Sequence, residues 1–304
     1  GTLGQIIPPS IVLVLLATIL QGANEEAAML KGDLAPDPVT AIDLFAGALL
    51  PGLMLVVMFI IFIYFYARIF PTSCPPIETH KSRNEIYKEA FKSIFPPLIL
   101  IILVLGSILM GIATPTESAS VGAIGAAVIA FFKGELTFQN IKDVSLNTVK
   151  LSSFVFVILI GASMFSLVFR GFNGDAMIEH FLGSLPGGLF TALLIVMVAI
   201  FILGFFLDYI EIIFVIVPLV GPILIANGAD PLWLGILISL NLQTSFLTPP
   251  FGFSLFFLRG VAPKEIQTKN IYRGVIPFIG IQVLAIIIVA LFPSIATWLP
   301  NLMF

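Results

Sequence analysis

Within the apolar run from Leu232 to Leu258 lies the sequence Asn241-Leu242-Gln243-Thr244-Ser245-Phe246-Leu247-Thr248-Pro249-Pro250-Phe251-Gly252. Two adjacent prolines remove two backbone donors and clash with the preceding turn, so the helix predicted over 232–258 is expected to open there. The freed carbonyl groups then need partners, and a desolvated sodium ion prefers oxygen ligands. The alternative is a proline kink with a polar contact between helices. The proline pair, preceded by several hydroxyl and amide side chains, favours an ion-binding break.

The composition around this stretch predicts a membrane protein. Apolar residues make up 59% of the 304 residues and charged residues 10%, whereas a soluble domain has about 45–50% and about 25%. No soluble fold of this size can bury that much apolar surface, so the expected solvent is a lipid bilayer. A single cysteine, Cys74, excludes an internal disulfide and a cysteine-based metal cluster. The net charge of −3 argues against nucleic acid as a partner.

Apolar runs of roughly 20 residues are long enough to cross a bilayer. The predicted spans are Leu44–Phe70, Leu151–Phe169, Gly187–Leu207, Ile212–Ala226, Leu232–Leu258 and Val275–Leu299, with Ile11–Leu20 as the end of a further segment. All but two of the 14 Lys and Arg residues fall within 68–92, 133–150 and 259–273, which the positive-inside rule assigns to the cytoplasm. The acidic stretch from Gln21 to Asp43 is therefore expected to lie outside. Because the chain opens beside an apolar stretch, we expect it to be the C-terminal portion of a longer protein.

The segment from Phe95 to Phe132 has basic, cytoplasmic flanks on both sides, so it must enter the membrane and return. Its two apolar arms, Pro97–Ile112 and Ala119–Phe132, are joined by the polar linker Ala113–Ser118. The second arm is shorter than a usual span, which favours a re-entrant helical hairpin over 94–133 with its tip buried in protein. The alternative is two short spans with a small outer turn. Before the hairpin, Lys81–Phe95 is predicted to be an amphipathic helix at the interface, or an arm connecting membrane bodies.

The chain start repeats the pattern of polar residues at a proline pair. Gly4, Pro8 and Pro9 precede the apolar run from Ile11. This segment is predicted to run outward and the one through Pro249 inward, and broken motifs in opposite orientation indicate an inverted-topology repeat.

Two sets of residues near apolar runs are further candidates. The hairpin tip offers Gly111, Thr114, Pro115 and Thr116, with helix packing as the alternative for the glycine. Carboxylates inside a membrane are costly and are functional candidates; here they are Glu117, Asp208 and Glu211. Glu117 could instead stabilise the first turn of the second arm, and Asp208 and Glu211 could lie at the cytoplasmic interface.

Catalytic and nucleotide-binding motifs are missing from the sequence. We expect no enzyme activity, no organic cofactor and no transport driven by ATP on this chain, which leaves an ion-coupled or a passive pathway.

Three motifs, namely Gly1–Ser10, Gly111–Ala119 and Asn241–Gly252, resemble the large membrane subunit of tripartite ATP-independent periplasmic (TRAP) transporters, and the resemblance covers the whole chain. The sequence Asp208-Tyr209-Ile210-Glu211 resembles the branch called mannitol/chloroaromatic. The resemblance implies an all-α, inverted-repeat, elevator-type transporter of the bacterial inner membrane that takes up a small organic acid with sodium. Its implied partners are a small membrane subunit and a periplasmic substrate-binding protein. The family's first hairpin would precede Gly1.

The resulting hypothesis divides the chain into four parts: the end of a first-repeat broken helix (1–21), an outer loop, span and cytoplasmic arm (22–93), the re-entrant hairpin (94–133), and second-repeat helices (134–304). The candidate ion- and substrate-binding residues are Gly4, Pro8, Pro9, Gly111, Thr114, Pro115, Thr116, Gln243, Thr244, Ser245, Thr248 and Pro249, with Glu117 and Asp208 as further candidates. We expect sodium at Thr114, Thr116, Thr244 and Thr248, and a second ion near Gly4–Pro9. The alternatives are a non-transporting scaffold or receptor, and an ion channel.

Overall fold

A computed structural model describes residues 2–75, 82–249, 252–263 and 266–303. Gly1, Pro250 and Phe251 of the motifs lie outside these residues. The described secondary structure is helical: 3-10 helices at Thr2–Gln5 and Pro71–Ser73, and α1 Ile11–Lys31, α2 Ala41–Ile69, α3 Arg83–Leu109, α4 Pro115–Phe132, α5 Phe138–Gly171, α6 Gly174–Gly183, α7 Leu189–Leu203, α8 Tyr209–Glu211, α9 Val217–Ala226, α10 Pro231–Leu247, α11 Phe253–Val261, α12 Thr268–Leu291 and α13 Ser294–Met303. A π-helical stretch, Ile212–Ile216, joins α8 to α9.

The chain divides into two compact units. The first comprises Gly1–Val56 and Ser153–Phe304, and the second Val57–Ser152. In the second unit α3 packs against α4. In the first, α10 packs against α1, α7 and α12, and α1 also packs against α9. The first unit therefore surrounds α10 with helices, and α10 is buried from Leu232 to Ser245.

Glycine allows the close contacts around α10. A Cβ atom on Gly235 would lie 2.6 Å from Leu20 Cδ1 and 2.8 Å from Leu44 Cδ2. Small residues at helix contacts let membrane helices approach closely. Trp233 fixes the position of α12, because its indole N–H donates to the backbone oxygen of Val289 at 2.8 Å.

Among the residues that the structure describes, seven helical segments are long and apolar enough to cross a membrane: α1, α2, α3, α4, α5, the continuous stretch 209–226, and α12. The chain is thus an all-helical polytopic membrane protein, as predicted. Two apolar helices are shorter, α7 with 15 residues and α10 with 17. At 1.5 Å per residue they extend for about 22 and 26 Å, less than the roughly 30 Å of a hydrocarbon core. Both helices are therefore shorter than the hydrocarbon core is thick.

Three predicted boundaries are wrong. The predicted span Val275–Leu299 is two helices, because Pro293 disfavours a helical conformation at Phe292 and ends α12. Helix α1 continues to Lys31, so part of the predicted outer loop is helical. The predicted interfacial helix and first hairpin arm form one helix, α3, despite two internal prolines. Prolines are tolerated in membrane helices where neighbouring groups satisfy the freed backbone.

The argument for a re-entrant hairpin is weakened. Helix α4 begins at Pro115 rather than Ala119, because Thr114 caps it and proline fits the first helical position. Its 18 residues extend for about 27 Å, so the second arm is longer than predicted and within the range of membrane-spanning helices. Whether α3 and α4 cross the membrane or re-enter it stays a prediction.

Candidate functional site

Helix α10 carries most of the predicted polar residues and ends where the proline pair predicts. Asp230 caps its start by accepting a hydrogen bond from Trp233 N at 2.8 Å. Its last residue is Leu247, Thr248 is the C-cap in an extended conformation, and α11 begins at Phe253. The predicted opening of the helix is confirmed.

Three hydroxyl groups at the end of α10 donate to carbonyl groups of their own helix. Thr244 Oγ1 donates to Leu240 O at 2.8 Å, and Ser245 Oγ donates to Leu242 O at 3.0 Å. Thr248 Oγ1 donates to Thr244 O at 2.7 Å. A hydroxyl that donates its proton keeps lone pairs on the oxygen, so these oxygens are still able to ligate a cation.

The chain after α10 folds tightly back on the helix end. Gly252 N donates to Thr248 O at 3.1 Å. A Cβ atom on Gly252 would lie 2.8 Å from both Phe246 O and Thr248 O. Real Cβ atoms essentially never come within 3.0 Å of a heavy atom outside their own residue and its chain neighbours. Two backbone oxygens therefore lie close to one glycine, where no larger residue fits without a change of backbone.

The first proline pair also lies near this end of α10. The 3-10 helix Thr2–Gln5 packs against α10. Helices α1 and α10 run antiparallel, because Ala28 at the end of α1 and Leu232 at the start of α10 line one cavity. Leu20 of α1 lies beside Gly235 of α10. Thr244 lies nine residues after Gly235, and Ile11 lies nine residues before Leu20, about 14 Å in each helix. Because the helices are antiparallel, the start of α1 is therefore level with Thr244. The predicted opposite orientation of the two broken segments is present in the structure, and the inverted repeat itself stays a prediction.

Within the first break the candidate residues differ in exposure. Pro8 is buried, whereas Gly4 and Pro9 are exposed. Ser10 Oγ donates to Gln5 O and closes the segment locally. A Cβ on Gly52 of α2 would lie 3.3 Å from Ile7 Cγ1, so α2 packs against this segment.

A third break, residues 204–208 between α7 and α8, borders the same end of α10. A Cβ on Gly204 would lie 2.2 Å from Ser245 Oγ, and the rings of Tyr209 and Phe246 are 6.3 Å apart. Asn241 Nδ2 also reaches α7, donating to Met197 O at 2.7 Å. Three interruptions of the helical chain thus meet around the C-terminal end of α10.

Sequence reasoning treated this third break as an ordinary connection and missed Gly204. Asp208 was a candidate, and the structure makes it the N-cap of α8: its side chain accepts from Tyr209 N at 2.7 Å, and Glu211 Oε2 accepts from Asp208 N at 3.3 Å. The Asp-x-x-Glu spacing is a capping signature that marks a helix start. That spacing would have placed a break before Tyr209.

The candidates of the second unit form a compact turn between α3 and α4. Gly111 has a φ of 67°, a conformation that glycine adopts readily. Thr114 Oγ1 accepts from Glu117 N at 3.3 Å and donates to Glu117 Oε2 at 2.9 Å, and Thr114 N donates to the same carboxylate at 2.8 Å. Glu117 thus has the structural role of a helix cap, and Thr116 is exposed.

Thr114 and Thr116 belong to the second unit, and Thr244 and Thr248 to the first. The sodium site shared by these four threonines therefore stays a prediction, as does the second ion near Gly4–Pro9. Among the residues that the structure describes, no three His, Cys, Asp or Glu side chains cluster as metal ligands.

Over residues 1–295 the chain matches the family described as "Tripartite ATP-independent periplasmic transporter, DctM component". It is 31% identical to the C4-dicarboxylate TRAP transporter large permease protein DctM of Vibrio cholerae, over 100% of this chain and 66% of that protein. It is 31% identical to the ectoine TRAP transporter large permease protein TeaC of Halomonas elongata, over 86% of this chain and 60% of the relative.

A third relative is the sialic acid TRAP transporter permease protein SiaT of Haemophilus influenzae, 25% identical over 99% of this chain and 45% of that protein. The chain spans about two thirds or less of the length of these curated relatives. They are named as transporter permeases rather than enzymes and belong to the bacterial inner membrane, which confirms the predictions of a multi-pass inner-membrane protein without enzyme activity.

Proposed function

Since the chain belongs to the DctM component family of TRAP transporters, we propose that it forms part of a sodium-coupled secondary transporter for the uptake of a small organic acid. The proposed substrates are 2-oxo acids or other small carboxylates. Two relatives are named for acids, the C4-dicarboxylates and sialic acid. The sequence Asp208–Glu211 favours the mannitol/chloroaromatic-type branch.

The observation that carries this proposal is the meeting of three chain breaks at the C-terminal end of α10. Backbone that leaves the helical conformation at membrane depth is tolerated only inside protein or beside a water-filled cavity. Transporters use such discontinuous helices to hold coupling ions with unwound backbone carbonyls. Here the oxygens of Phe246 and Thr248 lie close to Gly252, and the Thr244 and Thr248 hydroxyl oxygens lie one turn apart.

The same break offers a place for a carboxylate. Helix α11 begins at Phe253, immediately after the break, and the start of a helix carries a partial positive charge from its unpaired N–H groups. A half-helix start directed at an anionic group is a recurrent way to bind substrate in transporters. Sodium at the end of α10 and a carboxylate at the start of α11 would neutralise each other.

The proposed partners are a small membrane subunit and a periplasmic substrate-binding protein, with the lipid bilayer around the chain. We also propose that transport follows an elevator mechanism, in which the unit built around α10 moves with its ion and substrate. In such a system the binding protein delivers the acid to the membrane subunits. Most of the substrate selection therefore takes place in the binding protein, before the acid binds at the break after α10.

The test is sodium-dependent uptake by proteoliposomes that contain the full-length protein, the small subunit and the binding protein. Thr248→Val and Thr116→Val keep side-chain shape and remove one hydroxyl oxygen each. Thr248→Val is expected to raise the sodium concentration for half-maximal uptake, and Thr116→Val shows whether the turn before α4 contributes a ligand as well. Thr18→Val is the matched control, because the Thr18 hydroxyl makes the same bond to a carbonyl four residues back, at 3.1 Å and on an exposed face. Unchanged sodium dependence in both variants would refute the proposed ligands.

The same preparation separates the alternative functions. An intact complex that assembles normally and shows no flux would favour a receptor or scaffold. Flux faster than a conformational cycle permits would favour a channel. In either case the proposal of coupled uptake would be wrong.

A further inference from the structure

Three polar side chains near the first break carry buried atoms without protein partners. Gln243 and Ser239 of α10 are 0% exposed, and Gln5 at the end of the first 3-10 helix is partly buried. Within the described part of the chain, Gln5 Oε1, Ser239 Oγ and both the nitrogen and the oxygen of the Gln243 amide have no hydrogen-bond partner. Roughly nine in ten or more of buried polar groups in proteins are hydrogen-bonded, to protein or to ordered water. These four atoms therefore indicate a bound molecule.

Ser239 and Gln243 lie on the side of α10 that faces α1 and α2. That side is marked by Gly235, where a Cβ would lie 2.6 Å from Leu20 of α1 and 2.8 Å from Leu44 of α2. Ser239 and Gln243 follow Gly235 at intervals of four residues, which keeps them on one side of the helix. Helical side chains lean toward the N-terminal end of their helix, so the long Gln243 side chain extends over Ser239.

Gln5 approaches the same side of α10 from the first break. The 3-10 helix that ends at Gln5 packs against α10. Gln5 is also tied to the start of α1, because its backbone oxygen accepts a hydrogen bond from Ser10 Oγ. The start of α1 is level with Thr244, the neighbour of Gln243 in the chain. Gln5 and Gln243 therefore lie at one level, where the first break meets the α1-facing side of α10.

Helix α12 packs on a different side of α10. Trp233, which donates to Val289 O of α12, lies two residues before Gly235, and at 3.6 residues per turn it is about 200° round the helix. Helix α12 has a buried amide of its own, Gln282, whose nitrogen and oxygen are also unpaired. Gln282 therefore gives a matched comparison for the group formed by Gln5, Ser239 and Gln243.

The chemistry of the unpaired atoms selects the bound molecule. The Gln243 amide presents a donor nitrogen and an acceptor oxygen, the Gln5 oxygen accepts, and the serine hydroxyl does both. A sodium ion would satisfy the oxygens and leave the Gln243 nitrogen unpaired, and a carboxylate would leave the two amide oxygens unpaired. Water donates and accepts, and buried water makes about three hydrogen bonds to otherwise unsatisfied polar groups. We propose that water bound among Gln5, Ser239 and Gln243 bridges the first break to α10.

This bridge joins two interrupted segments of the chain. Gln5 precedes the first proline pair, and Gln243 lies five residues before Thr248, the C-cap of α10. A water-mediated bond is enthalpically nearly as good as a direct one, so the bridge holds the first break in register with the end of α10. The proposal does not rest on the proposed transport function: Gln243 is a candidate in both, but hydration of its amide is measured without any uptake.

The direct test is solid-state NMR of the full-length protein in lipid, labelled with ¹⁵N-glutamine and ¹⁵N-tryptophan. Magnetisation is transferred from water to side-chain N–H groups, and the Gln243 signal is identified by its loss in Gln243→Met. The Gln243 amide is expected to receive magnetisation about as fast as the exposed Gln139, which donates to Asp143 at 2.9 Å. The buried Trp233 N–H, bonded to a carbonyl, is the slow control.

Two results of the NMR experiment would overturn the proposal. Transfer to Gln243 as slow as transfer to Trp233, in sodium and in potassium, would mean that the two glutamine amides pair directly or stay unpaired. Transfer that is fast in potassium and lost in sodium would assign the site to the ion instead of water.

A double-mutant cycle tests whether Gln5 and Gln243 share one site. Gln5→Met and Gln243→Met keep the length of the side chain and remove its polar atoms, and each is expected to lower the Tm by a few degrees. Because the first substitution already breaks the bridge, the double variant is expected to lose less than the sum of the single losses. The matched control is Gln282→Met, whose Tm change is expected to add to that of Gln5→Met.

Additive losses for Gln5 and Gln243 would contradict a shared site, and a higher Tm in Gln243→Met would contradict a hydrated amide. Should Gln243→Met fail to fold, Ser239→Ala takes its place in the cycle with Gln5→Met, with the same non-additive result expected.

Discussion

The dipeptide Thr-Pro occurs at two chain breaks and has opposite structural roles in them. At 114–115 threonine is the N-cap and proline the first residue of α4. At 248–249 threonine is the C-cap of α10, and proline follows the helix. The start of a helix leaves N–H groups unpaired, and its end leaves carbonyl groups unpaired. The same two residues therefore border the donors of a helix start in one place and the acceptors of a helix end in the other.

This difference indicates which break suits a cation. The donors at the start of α4 are satisfied within the turn, because Thr114 and Glu117 form a complete capping box. No side-chain capping box closes the end of α10; instead Thr248 O accepts from Gly252 N at 3.1 Å, and the backbone oxygens of Phe246 and Thr248 both lie close to Gly252. An oxygen that accepts one hydrogen bond keeps a second lone pair, so oxygens gathered at one place suit a sodium ion. The break after α10 is thus the stronger of the two candidates.

The largest expected effect comes from changing the glycine of each break. In Gly252→Ala the new methyl would lie 2.8 Å from two backbone oxygens, which cannot rotate away, so overpacking of about 1–3 kcal/mol or more is expected. We expect uptake to fall at least about tenfold, which corresponds to about 1.4 kcal/mol.

Gly111→Ala is the matched change in the other break. Its new methyl meets no atom within 4 Å, and only the positive φ opposes it, at a cost of roughly 1–2 kcal/mol. We expect a lower Tm with retained uptake. Equal loss of uptake in both variants would show that the two breaks are not functionally different.

The next largest effect is expected where the third break, residues 204–208, packs against α10. In Gly204→Ala the methyl would lie 2.2 Å from Ser245 Oγ and 2.5 Å from Ser245 Cβ. We expect the free energy of unfolding to fall by about 1–3 kcal/mol, measured by thermal or denaturant unfolding, and Ser245→Gly to restore part of it. Gly106→Ala in α3, where a methyl meets nothing within 4 Å, is the control. Additive losses in the double variant would mean that residues 204 and 245 are not in contact.

The third prediction compares Thr248 with Thr114 by their effects on sodium dependence and on stability. Thr248→Val removes an oxygen from the acceptor-rich break, and we expect the sodium concentration for half-maximal uptake to rise about tenfold, or about 1.4 kcal/mol. Thr114→Val removes an N-cap worth about 1 kcal/mol of stability and is expected to leave sodium dependence unchanged. The measurement is a sodium titration of uptake beside a Tm for each variant. A sodium effect confined to Thr114→Val would reverse the comparison.

Local chemistry explains how much of the fold and of the candidate site can be predicted from the sequence. The opening of α10 follows from two prolines that lack donors, so it is visible in the sequence. The apolar composition is enough to predict a membrane protein, and the family resemblance adds the all-helical fold. Gly204 was missed because its importance comes from contact with Ser245, forty-one positions later, and no local pattern encodes such a contact. The early start of α4 was missed although Thr114, Pro115 and Glu117 carry the signal, because polarity was given more weight than capping.

The smallest expected effect decides whether Glu117 is only a helix cap. Glutamine at this position can still accept from Thr114 N, because the capping box tolerates glutamic acid or glutamine, whereas alanine cannot. We therefore expect Glu117→Ala to lower the free energy of unfolding by about 1 kcal/mol and Glu117→Gln to lower it by less, with normal uptake in both. Loss of uptake in Glu117→Gln with unchanged Tm would instead require the negative charge of the carboxylate. The turn before α4 would then be a second functional break, and the satisfied capping box would not be its whole role.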